Sequence, residues 1–143
     1  MTVRATREFL FDAEPEAVWA FISDPEKRAG AISVVDGFEV TGPDTAVWHV
    51  ALPIPVISST MAVETEDVRV EPPTYVEFVG KSRAFRVTGE HTVEETDDGR
   101  TRLVNTFVVD GRLPGVESFF ERNLDDEMDS LEAAMRADDG VQL

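Results

Sequence analysis

The period of the hydrophobic pattern changes once along this chain, and that change limits the fold more than any other feature. From Val34 to Val109, apolar residues tend to alternate with polar ones, as in strands with one buried face. After Pro114-Gly115 the period becomes 3.6 residues, over about six helical turns. The pattern therefore predicts an α+β domain in which an antiparallel sheet is followed by one long helix. The apolar side of that helix consists of Val116, Phe119, Phe120, Leu124, Met128, Leu131 and Met135.

Turn residues divide the alternating stretch into six strands. Asp98-Gly99 lies between two of them and predicts a tight hairpin. A further strand, from Val3 to Phe11, precedes this stretch, so we expect a seven-stranded sheet. The turn residues lie at 41–44, 52–55, 71–74, 80–82 and 96–99.

Two short helices are predicted between the first strand and the other six. They cover residues 15–23 and 25–31, and each begins with a proline, which suits the first helical turn. Asp24 has the side chain and the position of an N-cap for the second helix. The spacing leaves no room for a strand between the two helices.

Length and cysteine content exclude several classes of protein. The 143 residues suit one domain, which we expect to span 1–143. Because the chain has no cysteine, it has no disulfides, thiolate metal ligands or thiol nucleophiles. The charges at Arg4, Arg7 and Glu8 are not followed by an apolar run, so we expect no signal peptide. No stretch reaches about 18 apolar residues, so we expect no transmembrane segment. The absence of cysteine fits a reducing interior, so we expect a cytoplasmic protein.

The charge balance is strongly acidic, with 29 acidic residues, 13 basic residues and a net charge of −16. Such a field repels nucleic acid, so we expect no nucleic-acid partner. Lys27 and Lys81 are the only lysines, and the other basic residues are arginines. This composition suggests a halophile, whose acidic surface keeps it soluble in molar salt. An ordinary acidic mesophilic protein is the alternative.

One stretch of sequence resembles a known family. From Phe11 to Glu26 the chain is FDAEPEAVWAFISDPE, in which an apolar strand end precedes a Pro-Glu-x-Val-Trp helix and then Asp-Pro-Glu. This stretch resembles the opening of the START and birch-pollen-allergen-like superfamily, also called SRPBCC. Glu71-Pro72-Pro73 and Gly99-Arg100-Thr101 match the family too, and the order of elements agrees over the whole chain.

The resemblance implies the helix-grip fold. In this fold a curved seven-stranded antiparallel sheet, two short helices after the first strand and a long C-terminal helix enclose an apolar cavity. Similar proteins include polyketide cyclase-like proteins, CoxG-like proteins tied to carbon monoxide dehydrogenase, and quinone-binding or lipid-transfer proteins; this chain would be a haloarchaeal member.

Fold alone does not carry function, so three hypotheses stay open. The first is binding or transport of a small hydrophobic ligand, such as a lipid, a quinone or a polyketide-like aromatic. The second is a cyclase or dehydratase that uses His91, and the third is an accessory protein that docks on another enzyme. We expect no cofactor, and we expect a small apolar molecule as partner; a protein partner or a homodimer stays open.

Ligand-binding candidates lie at inward strand positions and on the inner side of the long helix. His91 shares strand parity with Phe85 and Val87; it could orient a ligand carbonyl or act as acid or base, or it could be a partly exposed histidine that satisfies a backbone group. Asn105 could contact a ligand or form a core hydrogen-bond pair. The helix residues among the candidates could touch a ligand or be plain core. The candidates are Phe85, Val87, His91, Asn105, Phe107, Phe120 and Met128.

Other chemistry is less well supported. The parity of His49 is uncertain because prolines follow in its strand, and two histidines with scattered carboxylates lack metal-ligand spacing, so we expect no metal site. The serines lack a nucleophile-elbow context. Arg83 and Arg86 could hold a carboxylate or pair with surface acids. The acids at 125–129 lie on the outer side of the predicted helix, where solvation is expected.

Overall fold

Seven strands and three helices make up the part of the chain that the computed structural model describes, residues 2–32, 35–52, 60–113 and 115–137. The predicted α+β fold, with its seven-stranded antiparallel sheet and long last helix, is confirmed. The predicted strand start at Val34, the turn residues 53–55 and Pro114 lie outside the described residues. The elements are β1 (Thr2–Phe11), α1 (Pro15–Ile22), α2 (Pro25–Gly30), β2 (Val35–Val40), β3 (Thr45–Val50), β4 (Met61–Glu71), β5 (Tyr75–Lys81), β6 (Phe85–Glu95), β7 (Thr101–Gly111) and α3 (Val116–Ala137).

The sheet has the strand order β1-β7-β6-β5-β4-β3-β2, so β1 and β2 form its edges. Strands β2 to β7 pair with their neighbours in sequence, whereas β1 pairs with β7. Buried and more exposed residues alternate along β3, β5, β6 and most of β7, which gives the sheet one face against the core. That face carries the cavity described below.

The two short helices end one residue earlier than predicted, at Ile22 and Gly30. Asp24 caps α2, because its side chain accepts a hydrogen bond of 2.9 Å from the Glu26 N–H. As the N-cap residue, Asp24 has an extended backbone, which the following Pro25 also favours. Helix α1 must therefore end before Asp24. The predicted N-cap is confirmed.

Helix α3 lies across β1 and β7. All seven residues of the predicted apolar side are buried. Arg7 of β1 donates hydrogen bonds to Asp129 and, at 3.4 Å, to Asp125, and both carboxylates are exposed to solvent as expected. Arg136 donates to the Leu10 carbonyl at 3.2 Å. The edge strand and the long helix are thus joined by polar contacts as well as by the core.

None of the described helices is long and apolar enough to cross a membrane. Within the same residues no group of three or more His, Asp or Glu side chains could hold a metal ion.

Candidate ligand cavity

A cavity of about 60 Å³ lies between the inner face of the sheet, α2 and α3. By that measure it has room for roughly four to six waters. Among the described residues three lining side chains are polar or charged: Arg28, His91 and Glu127. The apolar lining consists of Ile32, Val35, Trp48, Val50, Phe78, Phe85, Val87, Phe107, Val109, Phe120, Leu124 and Leu131.

Phe78 is the centre of an aromatic wall. Its ring centroid lies 5.4 Å from that of Trp48, 6.2 Å from that of Phe107 and 6.0 Å from that of His91, which is stacked on it at 15°. Gly89 is its cross-strand partner, and a Cβ atom there would lie 2.2 Å from the ring. The glycine therefore makes room for the phenyl group in the floor of the cavity.

His91 and Asn105 form a buried cross-strand pair between β6 and β7. The His91 Nδ1 atom lies 2.5 Å from the Asn105 Oδ1 atom, and both residues are essentially inaccessible to solvent. An amide oxygen accepts, so Nδ1 carries the proton and Nε2 keeps its lone pair. No described residue donates a hydrogen bond to Nε2. A residue that lines the cavity thus carries a buried acceptor without a partner among the described residues.

Burial keeps the His91 imidazole neutral. Loss of hydration lowers the pKa of His91 to about 3, although the hydrogen bond with Asn105 opposes this shift. The nearby positive charge of Arg28 lowers that pKa further. At neutral pH the ring therefore has no second proton to donate.

Arg28 comes from the last turn of α2 and is only 4% exposed. Its Nη2 donates a hydrogen bond of 2.7 Å to Asp67, and its Cζ atom lies 5.4 Å from the Phe78 ring centroid. Its Nε and Nη1 atoms have no acceptor among the described residues. Burial raises the pKa of the Asp67 carboxyl, while Arg28 opposes the shift. Asp67 lies at a register shift in β4, where a bulge can redirect a side chain.

The structure brings five predicted candidates to the cavity: Phe85, Val87, His91, Phe107 and Phe120. Asn105 lies behind His91 and forms the core hydrogen-bond pair that was one of its two alternatives. Met128 is buried but does not line the cavity. It follows Glu127, so its side chain leaves the helix about 100° away from that lining residue.

The two histidines and the arginines of the Phe85 region occupy different environments from one another. His91 is not a partly exposed histidine on a backbone group, because it is buried and its partner is a side-chain amide. His49 is half-buried on the face opposite the buried Trp48 and Val50. Arg83 and Arg86 are exposed and do not line the cavity.

Ten of the described lining residues were absent from the prediction, and three of these matter most for the site: Arg28, Trp48 and Phe78. Strand alternation could have identified two of them, since Trp48 shares parity with Val50, and Phe78 shares parity with buried Val76. Arg28 gives no such signal, because a basic residue in the last helical turn is usually solvated.

Fold and cavity together define a helix-grip protein with an apolar interior site. The chain belongs to the family described as "Polyketide cyclase / dehydrase and lipid transport", whose model matches residues 2–136. No curated protein sequence matches the chain significantly.

Solved structures share the fold at low identity. A conserved protein from Geobacillus kaustophilus is 14% identical with a TM-score of 0.76, covering 92% of this chain and 91% of that chain. A START superfamily protein from Mycobacterium smegmatis is 13% identical with a TM-score of 0.71, covering 92% of each chain. The Zhui aromatase/cyclase from Streptomyces sp. R1128 is 18% identical with a TM-score of 0.68, covering 95% of each chain. These likenesses establish the fold alone.

Proposed function

We propose that this protein binds or carries a small, mainly apolar molecule in the cavity between the sheet and α3. The observation that carries the proposal is a set of buried polar atoms in an otherwise apolar wall. His91 Nε2 and Arg28 Nε and Nη1 have no partner among the described residues. A buried polar atom without a partner costs about 1–3 kcal/mol, which a ligand could recover. Lipids, quinones and polyketide-like aromatics all combine an apolar body with a few polar atoms.

The size of the cavity limits the ligand. Pockets for drug-sized ligands are usually about 300–1,000 Å³, well above the 60 Å³ found here. A ligand with one aromatic ring or more therefore requires lining side chains to move. Phe120 and Leu124 of α3 are the side chains that we expect to change rotamer on binding.

The low pKa of His91 favours ligand binding over acid-base catalysis. A general acid or base works best with a pKa near the working pH, and burial lowers the pKa of His91 to about 3. His91 is therefore better suited to accept a hydrogen bond than to transfer a proton. The accessory, CoxG-like role stays a prediction, and a stoichiometric partner in a pull-down at native salt would support it.

Solvent extraction followed by mass spectrometry tests the proposal. The chain would be purified in molar KCl beside Val87→Phe, which fills the cavity, and Val70→Phe, which enlarges a side chain that is 40% exposed. We expect a stoichiometric small molecule from the wild type and from Val70→Phe, and much less from Val87→Phe. Equal yields from all three proteins would place the molecule elsewhere. A wild type that is empty and takes up no added aromatic would contradict the proposal.

A further inference from the structure

The Arg28–Asp67 ion pair has a consequence for which ligands the cavity accepts. We infer that Asp67, by neutralising Arg28, makes the cavity select neutral molecules with a carbonyl-type acceptor and reject carboxylates. The inference rests on the proposed function and adds the charge of the ligand to it. Asp67 does not line the cavity, so it acts as a positioning residue through Arg28.

The charged groups of Arg28 and Asp67 are close together and almost inaccessible to solvent. The N–O distance is 2.7 Å, and the two side chains are 5% and 11% exposed. At this distance and burial the two charges largely cancel for a group in the cavity. A guanidinium without a carboxylate partner would attract an anionic ligand strongly. With Asp67 in place, a carboxylate would be a third buried charge, whose loss of hydration is not compensated.

The other charges around the cavity act in the same direction. Arg28 is the one cation among the described lining residues, and Glu127 adds a carboxylate to the lining. His91 contributes no positive charge, because its ring is neutral. On its other side Arg28 borders a small cleft that Asp44 and Asp67 also line. The charged groups around the cavity therefore have no net positive formal charge that would attract an anionic ligand.

The unpartnered atoms define the neutral groups that fit. Arg28 Nε and Nη1 are donors, so they suit a carbonyl oxygen. His91 Nε2 is an acceptor, so it suits a hydroxyl group. Both side chains lie against the same Phe78 ring, within 6.0 Å of its centroid. Once lining side chains have moved to admit it, a neutral molecule beside that ring could contact both.

Acetophenone and benzoate test the inference, since they have nearly the same shape and differ in charge. Binding at pH 7.5 would be followed by NMR shifts of cavity-lining methyl groups in the wild type and in Asp67→Asn. We expect the wild type to prefer acetophenone at least tenfold, and Asp67→Asn to shift that ratio at least tenfold toward benzoate. Asp44→Asn is the matched control, because it removes the same charge from an exposed residue in the same cleft. Its ratio should stay close to that of the wild type.

The outcomes separate the two proposals. A wild type that prefers benzoate, or a folded Asp67→Asn with an unchanged ratio, overturns the charge inference and leaves ligand binding standing. If neither probe shifts the cavity signals of the wild type, both proposals fail. If Asp67→Asn does not fold, Arg28→Met/Asp67→Leu replaces it and should still reject benzoate. Gain of benzoate binding in that variant would overturn the inference.

Discussion

Replacing Gly89 by alanine should destabilise the protein by forcing Phe78 out of its place. The added Cβ would lie 2.2 Å from Phe78 Cε1 and 2.8 Å from Cδ1 and Cζ, distances that packed atoms do not tolerate. The ring cannot retreat within its layer, because Trp48, His91 and Phe107 surround it. It must tilt toward the cavity, which should also weaken ligand binding.

The expected cost follows from two opposing effects. Overpacking of a core costs about 1–3 kcal/mol. Replacing a glycine restricts the unfolded chain, which returns about 0.4–1 kcal/mol. We therefore expect the free energy of unfolding to fall by about 1–2 kcal/mol. Urea titration followed by tryptophan fluorescence measures it, and Trp48 reports directly because its ring lies 5.4 Å from that of Phe78.

Gly37→Ala is the control for this experiment. Gly37 also lies in a strand, but the nearest atom to its added Cβ is 3.9 Å away, so we expect a change within about 0.5 kcal/mol. The double variant Gly89→Ala/Phe78→Leu should lose at least about 1 kcal/mol less than the two single losses added, because the smaller side chain relieves the clash. Additive losses, or a Gly89→Ala variant as stable as Gly37→Ala, would refute the packing argument.

Three further predictions concern pH, helix capping and salt. The folded-state pKa of His91, about 3, lies below the unfolded value near 6.5, so the contribution of the neutral ring to the free energy of unfolding is complete above pH 6.5. It is lost as pH falls toward 3, by roughly 1 kcal/mol per pH unit. Urea titrations at several pH values should show a shallower dependence of this free energy on pH for His91→Gln, and an unchanged dependence would contradict this. Asp24→Ala should cost about 1 kcal/mol in the same assay, while Glu14→Ala, at an N-cap without a side-chain hydrogen bond, should cost almost nothing; equal losses would rule out capping as the cause. Because the net charge is −16, the melting temperature should rise with KCl and level off near 1 M, where the screening length is about 3 Å; no rise would count against repulsion between surface acids.

Periodicity predicted the elements because most of the strands and α3 have one buried face. For the same reason it predicted the inward positions Phe85, Val87 and Phe107. It could not predict the burial of Arg28, which depends on Asp67, 39 positions away along the chain. Nor could it predict that His91 is neutral, since that follows from burial and from a partner on the next strand. The local hydrophobic pattern predicts which face of a strand or helix is buried, whereas the charge of a site depends on which elements pack against one another.

The pairing of β1 with β7 has a consequence during synthesis on the ribosome. Thr6 faces Thr106, 100 positions later, so the first strand emerges long before its partner exists. At about 5–20 residues per second, that delay is roughly 5–20 seconds. During this time Phe9 and Phe11 have neither β7 nor α3 to cover them. Until β7 and α3 have been made, the nascent chain therefore presents an unpaired strand with two uncovered phenylalanines, which chaperones can bind.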